Sequence, residues 1–415
     1  MTPIKLNHRS TCRLCRSDNL ELILALTPTP PANAFVTKDK LSENQETFPL
    51  NVHFCHTCGH VQLLDIVNPE LLFYDYVYVS STSPIFVDHF RRYAEDIMVR
   101  YPPEPGSLVL DIGSNDGTLL SFFQKKGMAV LGVDPAKSIA EEAISNGIET
   151  RIGFFGQAVA DEILATKGPA SVVTANNVFA HADDLDSITR AVKSLLAPDG
   201  IFVFEVSYLA DVIEKTLFDT IYHEHLSYHS VEPLRQFFER HDMEMIGVGR
   251  EDTHGGSLRG ICQLAGGPHA DNGSVEGFIS KEHEAGLNEA AVFKSFSDGI
   301  DAVKRDLNAV LAKLKLEGKT IAGYGAPAKA TTLMYHFGLG PDIIDFIVDD
   351  SPLKQGLYLP GMHIPVVPSS EIGIRNPDFL IILAWNFSGA IIANNQKFKE
   401  KGGRFIVPLP DLEIL

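Results

Sequence analysis

The chain has 415 residues and a mass of 45.5 kDa, which is more than one ordinary hydrophobic core holds, so its length predicts two or three domains. Its formal charge of -18 and isoelectric point near 5.2 argue against a protein that binds nucleic acid or anionic lipid. No apolar leader and no apolar run of membrane-spanning length is present, which predicts a soluble, cytoplasmic protein without a membrane partner. These quantities leave the oligomeric state open.

Four of the five cysteines form two pairs with the same two-residue spacer. "CRLC" contains Cys12 and Cys15, and "CHTC" contains Cys55 and Cys58. The spacer lets both thiolates of a pair face one ion, and four thiolates complete a closed tetrahedral site. We therefore predict structural Zn²⁺ in an N-terminal domain, with redox-active CxxC pairs as the alternative. The fifth cysteine, Cys262, is expected to be a small core residue.

A central region follows, in which the hydrophobic period changes abruptly. After the predicted helix "IFVDHFRRYAEDIMVRY", the apolar strand "LVLDI" runs into the glycine turn "DIGSNDG" and then into a second helix. This order is typical of doubly wound sheets, in which backbone approaches a ligand at the carboxyl end of a strand. The acidic turn disfavours phosphate and favours a cationic ligand.

This turn resembles the first motif of class I S-adenosylmethionine-dependent methyltransferases. The resemblance implies that the turn lies beside the methionine part of the cofactor, and that an acidic residue on the next strand binds the ribose. "AVLGVD" supplies that residue. The strands "ASVVTANNVFAH" and "GIFVFEVSYL" are expected to end at the same cleft, which adds His181 and Glu205 as candidates. The predicted cofactor-binding residues are Asp111, Gly113, Asn115, Asp116, Gly117, Asp134, Asn176 and Asn177.

The run "DTIYHEHLSYHS" at residues 219–230 concentrates proton-transfer groups. A neutral histidine can remove a proton next to a ketone, a tyrosine can stabilise the resulting enolate, and a glutamate can orient the imidazole. The run therefore favours methylation of carbon through an enolate. A metal site formed by His223, Glu224 and His225 is one alternative, and a purely structural polar loop is another.

Seven motifs in chain order resemble the deoxysugar C-methyltransferases: the cysteine pairs, "YVYVSSTS", "DIGSNDGT", "ANNVFAH", "YHEHLSYHS", "HGGSLRG" and "AGYGAPAKATTL". Members of that family methylate nucleotide-linked 4-ketosugars. The resemblance covers nearly the whole chain and implies that His225 is the base, with Tyr222, Glu224, His181 and Tyr76 around the reacting carbon. His223, at a position where members vary, stays open as a second base and, like Tyr228, is predicted beside the substrate.

The last third of the chain contains a second strand, glycine turn and helix. Gly323, Gly325 and Ala328 match the pattern GxGxxA, and Asp349 follows Gly325 by twenty-four residues. An NAD-dependent enzyme is therefore an alternative. The family resemblance implies instead a Rossmann-like domain that closes over the substrate. The residues predicted to bind the sugar nucleotide there and in the central region are Tyr324, Lys329 and Arg259.

Together these observations predict an α/β protein with a class I methyltransferase sheet between a four-cysteine zinc-binding domain and a Rossmann-like C-terminal domain. The predicted boundaries are 1–80, 81–285 and 286–415. The predicted activity is S-adenosylmethionine-dependent C-methylation of a nucleotide-diphosphate 4-ketosugar. Methylation of oxygen or nitrogen on the same scaffold is the nearest alternative.

Overall fold

The structure is a computed structural model that describes residues 5–73 and 79–415. Tyr76 lies outside these residues, so its place beside the reacting carbon stays a prediction. Within the described ranges, no helix has both the length and the apolar character needed to cross a membrane.

Residues 5–73, which we call the N-terminal head, consist mainly of short antiparallel strands. In β3 buried and half-buried side chains alternate, as they do in a strand with one face on a core. The residues "FPLNVHF" therefore form a strand with one face on the core. The elements of the head are β1 (Leu6–His8), β2 (Leu20–Thr29), β3 (Phe48–Cys55), β4 (Val61–Leu63), β5 (Asp65–Val67) and α1 (Pro69–Phe73).

The central region is a seven-stranded sheet with helices on both faces. Its elements are α2 (Pro84–Arg100), β6 (Leu108–Ile112), α3 (Thr118–Lys125), β7 (Ala129–Asp134), α4 (Lys137–Ser145), β8 (Thr150–Ile152), α5 (Gln157–Lys167), β9 (Ala170–Asn176), α6 (Leu185–Leu195), β10 (Leu196–Ser207), α7 (Leu209–Glu214), β11 (Ser227–Tyr228), α8 (Val231–Glu239), β12 (Met243–Glu251), β13 (Ser257–Leu264) and α9 (Ser274–Glu284).

The strand order of this sheet is β12-β13-β10-β9-β6-β7-β8. Strands β10, β9, β6, β7 and β8 are parallel, whereas β12 and β13 are antiparallel to their neighbours. The chain winds outward in one direction through β7 and β8 and in the other through β9 and β10. The order therefore reverses between β6 and β9, and ligands of open α/β sheets bind at such a switch point, outside the carboxyl ends of the strands.

The hydrophobic pattern of the central strands explains their position. All five residues of β6 are buried, which is the pattern of a parallel strand covered by helices on both faces. Cys262 on β13 is also fully buried, as predicted. Helix α2 begins after Ser83, whose side chain accepts a hydrogen bond from the Phe86 N–H and caps the helix.

The C-terminal region is a second, mainly parallel sheet with the order β16-β15-β14-β17-β18-β19. The long helix α10, with 26 residues, precedes this sheet in the chain. The elements are α10 (Ala291–Leu316), β14 (Ile321–Tyr324), α11 (Ala328–Phe337), β15 (Ile347–Val348), β16 (Val366–Val367), α12 (Glu371–Arg375), β17 (Phe379–Ile382), α13 (Ser388–Asn394), α14 (Gln396–Glu400), β18 (Arg404–Val407) and β19 (Glu413–Ile414).

One strand of the central region belongs to the sheet of the N-terminal head. The head sheet has the order β11-β4-β3-β2, with Ser227 paired to Gln62 and Tyr228 paired to Val61. The Leu63 N–H also donates to the Leu226 carbonyl at 2.9 Å. Backbone hydrogen bonds therefore join the two regions directly after the Tyr/His/Glu run. The α/β class and its three-part arrangement are confirmed, while the exact domain boundaries stay predictions.

Candidate active site

The turn between β6 and α3 lies at the carboxyl edge of the central sheet and is fixed by the acidic residue of the next strand. Oδ2 of Asp134 accepts the Asn115 N–H at 2.8 Å, and Oδ1 accepts the Ala136 N–H at 2.8 Å. Gly113 has φ +70°, and a Cβ there would lie 2.3 Å from Cγ2 of Val178. Only glycine allows the turn to pass this close to the segment that follows β9.

Two other predicted cofactor residues of the turn accept hydrogen bonds from neighbouring segments. Asp111 accepts a 2.6 Å hydrogen bond from the Thr174 hydroxyl, and burial raises the pKa of Asp111 to about 7. Asp116 accepts the Ser81 N–H at 2.9 Å. The second half of the "YVYVSSTS" motif is thus bound directly to the glycine turn.

The remaining predicted cofactor residues lie at the same carboxyl edge of the central sheet. Gly117 precedes α3 in the left-handed conformation, with φ +76°. Asn176 ends β9, and the Asn177 N–H donates to the Glu205 carbonyl at 2.8 Å. Asn177 itself has φ +54°, a conformation that asparagine tolerates better than most residues.

A buried ionic network lies on the strands behind these residues. Glu205 accepts hydrogen bonds from His89 Nε2 at 2.8 Å and from Arg259 Nε at 2.6 Å. The Arg259 guanidinium also contacts Glu251 at 3.0 Å and lies 4.2 Å from the ring centre of Tyr93. Since two carboxylates already bind this guanidinium, the structure gives Arg259 a role in the core. Its predicted contact with the substrate stays a prediction.

Four aromatic rings form a continuous stack beside the cofactor turn. The ring centres of Phe73 and His181 are 5.6 Å apart, those of His181 and His225 are 5.1 Å apart, and those of His225 and Tyr222 are 4.1 Å apart. His181 lies three residues after Val178, which contacts Gly113. The structure therefore brings together three of the predicted catalytic residues next to the predicted cofactor site.

The hydrogen bond of His225 fixes the chemical state of its ring. Nδ1 lies 2.7 Å from the Thr220 carbonyl, which can only accept, so Nδ1 carries the proton and Nε2 carries the lone pair. Burial lowers the pKa of His225 to about 4, and the Thr220 carbonyl offsets only part of this shift. At neutral pH the ring is therefore an uncharged base with one defined basic nitrogen.

A residue that sequence reasoning missed contacts Glu224 from the N-terminal head. Nδ2 of Asn33 donates to Oε1 of Glu224 at 2.8 Å, and the Glu224 side chain is buried. Asn33 lies in the proline-rich run "TPTPPANAF", whose only sequence signal was that of a connecting loop. The head therefore contributes a side chain to the predicted catalytic cluster.

Two residues of the Tyr/His/Glu run are directed into the head. His223 Nε2 donates to the Phe48 carbonyl at 3.2 Å, and its ring packs edge-on against the Phe48 ring. Tyr228 belongs to β11 and is 1 % exposed. The structure thus separates both from the ring stack, and their contacts with the substrate stay predictions.

The second glycine turn has the same plan as the first. Asp349, directly after β15, accepts the Ala326 N–H at 2.6 Å and the Ser351 N–H at 2.8 Å. The Tyr324 hydroxyl donates to Asp350 at 3.0 Å. Lys329, on α11, contacts residues of the central and C-terminal regions, and its binding to the substrate stays a prediction. Both oxygens of Asp349 accept amide hydrogen bonds, as both oxygens of Asp134 do in the first turn.

The four cysteines predicted to bind metal converge in the head. Their Sγ atoms all lie within 4.8 Å of one another, with 3.7 Å between Cys12 and Cys58 and 3.5 Å between Cys15 and Cys55. A tetrahedron of thiolates around zinc has edges of about 3.8 Å, since Zn–S bonds are about 2.3 Å long. The spacing of the sulfurs therefore fits a closed tetrathiolate site.

Comparison with known proteins covers all three regions. Three family models match: "Putative zinc binding domain" at residues 12–73, "Methyltransferase domain" at 87–248, and "C-methyltransferase C-terminal domain" at 252–410. The C-methyltransferase NovU of Streptomyces niveus is 35% identical over 404 residues, which are 97% of this chain and 96% of NovU. The chain belongs to this C-methyltransferase family.

More distant proteins resemble only the central part of this C-methyltransferase. A ubiquinone biosynthesis O-methyltransferase of Chromobacterium violaceum is 31% identical over 111 residues, which are 26% of this chain and 48% of that protein. The crystal structure of magnesium protoporphyrin IX methyltransferase ChlM from Synechocystis PCC 6803 with bound SAH has a TM-score of 0.35 and 16% identity. It covers 46% of this chain and 90% of that chain.

This C-methyltransferase depends on S-adenosylmethionine, and the first glycine turn fits that cofactor. The turn has a close-packed glycine at Gly113, exposes no basic side chain to a cationic sulfonium, and has the Asp134 carboxylate at the end of the neighbouring strand. Gly113, Asp134 and the strand ends at Asn176 and Asn177 would hold the cofactor.

Replacing Gly113 by alanine tests this site. The added Cβ would collide with Val178, so we expect S-adenosylhomocysteine to bind at least about tenfold more weakly in calorimetric titration, a loss of about 1.4 kcal/mol. Gly127→Ala is the matched control, because Gly127 also has positive φ, has nothing within 4 Å of its Cβ position, and lies at the opposite edge of the sheet. Both variants should lose about 1–2 kcal/mol of unfolding free energy from the left-handed backbone conformation, and Gly113→Ala should lose about 1–3 kcal/mol more from the collision with Val178. Equal affinities in the two variants would contradict the assignment.

Proposed function

We propose that this C-methyltransferase methylates the carbon next to the keto group of a nucleotide-linked 4-ketosugar in the cytoplasm. The observation that carries the proposal is the His225 ring, which is neutral, has its basic nitrogen defined, and lies in the ring stack beside the cofactor turn. Because the ring is uncharged at neutral pH, its Nε2 can accept a carbon-bound proton, although a pKa near 4 makes it a weaker base than an exposed histidine. The likeness to NovU over nearly the full length of both chains supports methylation at carbon.

In the proposed reaction His225 Nε2 removes the proton from the carbon next to the ketone. The Thr220 carbonyl, already bonded to Nδ1–H, stabilises the imidazolium that forms. Tyr222, whose ring contacts that of His225, would donate a hydrogen bond to the enolate oxygen, and Asn33 would orient Glu224 beside it. S-adenosylmethionine, when bound, supplies the electrophilic methyl group.

The nucleotide of the substrate is proposed to bind the C-terminal region. Its glycine turn follows β14, and Gly325 takes φ +88° at a position where a Cβ would lie 2.5 Å from Ala384 Cβ, so this tight turn requires glycine. A ligand whose nucleotide bound this turn and whose sugar bound the ring stack would have to be extended. A nucleotide sugar has that form.

The metal of the four-cysteine site is proposed to be Zn²⁺ with a purely structural role. Four thiolates leave no open coordination position, so the metal cannot bind substrate. The chain runs from Cys58 directly into β4, and β4 pairs with β11, which follows His225 closely in sequence. The metal therefore holds the strand against which the Tyr/His/Glu run is anchored.

The test of the proposed function is transfer of labelled methyl from S-adenosylmethionine to a panel of nucleotide-linked 4-ketosugars. The expected product carries the new methyl on carbon, which NMR of the isolated sugar distinguishes from an oxygen-linked or nitrogen-linked methyl. Methylation at a heteroatom, or turnover only with acceptors that lack a ketone, would refute the proposal.

His225→Asn should separate binding from chemistry. The amide cannot accept a proton, so we expect both methyl transfer and exchange of the ketosugar C–H with deuterated water to fall at least about a hundredfold. S-adenosylhomocysteine affinity should stay unchanged. His223→Asn is the comparison, because His223 faces Phe48 instead of the stack. If exchange persisted in the first variant and stopped in the second, His223 would be the base.

The pH dependence of kcat/KM reports the same base. Because burial lowers the pKa of His225 to about 4, kcat/KM for the ketosugar at saturating S-adenosylmethionine should stay flat from pH 8 down to about 5.5, where an exposed histidine base would already have lost activity. Since Asp111 is predicted to act in cofactor binding, saturation with cofactor keeps its titration, with a pKa of about 7, out of this profile. An acid limb centred near pH 6.5 would contradict the buried state of the ring.

This profile requires a stability control. Burial also lowers the pKa of His223 to about 4, so the unfolded chain binds more protons than the folded chain between pH 6.5 and pH 4. The contribution of His223 to folding stability therefore falls as the pH falls through this window, whereas the raised pKa of Asp111, about 7, gives a contribution of the opposite sign. Circular dichroism at each pH, and recovery of full activity after return to pH 7.5, identify the range in which the kinetic profile is valid.

Removal of the metal should lower kcat more than it lowers the affinity for the cofactor. Emission spectrometry should find about one zinc per chain, and Cys58→Ser should lose it, since three thiolates leave the tetrahedral site incomplete. We expect kcat to fall at least about tenfold because β4 no longer fixes β11. Cys262→Ala, which removes the cysteine outside the cluster, should keep both zinc and kcat. Unchanged kcat in metal-free protein would contradict this role.

A further inference from the structure

A fully buried carboxylate lies directly before the residue that orients His225. Asp219 belongs to a short 3₁₀ turn, Phe218–Thr220, and its side chain has no exposed surface. Its Oδ2 accepts a 2.6 Å hydrogen bond from Nε1 of Trp385. The next residue, Thr220, supplies the carbonyl that accepts the Nδ1–H of His225. Any displacement of Asp219 therefore reaches the imidazole through one peptide unit.

Lys329 completes this contact from helix α11. Its Nζ lies 3.9 Å from Oδ2 of Asp219 and 3.8 Å from the ring centre of Trp385. The indole is thus bound at its edge by the carboxylate and on its face by the ammonium. A buried carboxylate without a cation costs several kcal/mol, so the pair requires both charges, and the indole sets their relative position.

A second hydrogen bond from the same helix fixes the other side of Thr220. The Thr332 hydroxyl, one turn after Lys329, donates to the Ile221 carbonyl at 2.8 Å. Both Thr332 and Ile221 are buried. Helix α11 therefore holds residues 219 and 221 at once, and Thr220 lies between them.

We propose that Asp219, Lys329 and Trp385 form a positioning triad, through which the C-terminal region sets the orientation of His225. The inference rests on the proposed function, since it assigns the triad's effect to the base of that reaction. It gives Lys329 a role different from the phosphate ligand predicted from sequence. The Lys329 side chain is only 12% exposed, and its charge is balanced by Asp219, not directed to an anionic ligand.

Kinetics distinguish a positioning residue from a phosphate ligand. Lys329→Met and Asp219→Asn should each lower kcat about tenfold to a hundredfold, because a small displacement of the base is costly. KM for the nucleotide sugar and affinity for S-adenosylhomocysteine should stay within about threefold of wild type. The double variant, Lys329→Met combined with Asp219→Asn, leaves no buried charge unpaired. Its kcat should therefore be no lower than that of the less active single variant. A rise in KM about tenfold or more for Lys329→Met, with kcat unchanged, would overturn the proposal.

Fluorescence gives an independent readout, since Trp385 is the only tryptophan of the chain. Both Lys329→Met and Asp219→Asn should shift the Trp385 emission of the folded enzyme, with no substrate present. Lys397→Met on α14 is the matched control, and it should leave emission and kcat unchanged. Emission identical to wild type in both triad variants would overturn the contact. If no ketosugar in the panel is methylated, the proposed function fails, whereas the emission still decides whether the triad exists.

Discussion

The candidate site depends on one constraint, which is that an irregular buried segment must find hydrogen-bond partners elsewhere for the backbone groups that its own turns leave unsatisfied. Residues 219–226 contain only a single 3₁₀ turn, so helix or sheet ladders cannot satisfy their backbone. The partners come from every region of the described chain. Ala180 accepts the Leu226 N–H at 3.0 Å, Leu63 of the head donates to the Leu226 carbonyl, and α11 donates to Ile221. The position of His225 is therefore a property of the whole fold.

Burial controls the charges of this site in two different ways. At Glu205, which is buried, hydrogen bonds from His89 and Arg259 and the charge of the Arg259 guanidinium lower the pKa of the carboxyl group and keep it ionised. His225 instead receives a neutral carbonyl on Nδ1, which selects the tautomer without adding a negative charge that would favour the imidazolium. The ring therefore stays uncharged until it takes a proton from the substrate.

Local features of the fold could be predicted from the sequence, whereas contacts between distant segments could not. The strand "LVLDI", the glycine turn and the four paired cysteines have short-range patterns with direct physical causes, namely burial on two faces, positive φ and metal geometry. Asn33 meets Glu224 across 191 residues, and Asp219 meets Trp385 across 166 residues, with no period that connects them. The burial of Tyr228 could not be predicted from the sequence either, because β11 has only two residues and shows no alternation of apolar and polar residues.

The pairing of β11 with β4 also limits how such a chain can be divided and recombined. The central sheet alone contains the cofactor turn, and by itself it resembles an independent unit. Cutting the chain between the head and this sheet would leave β4 with an unpaired edge and β11 without a neighbour, and open strand edges favour aggregation. Hybrid enzymes built to change the acceptor would therefore need crossover points that transfer the head together with residues 219–228.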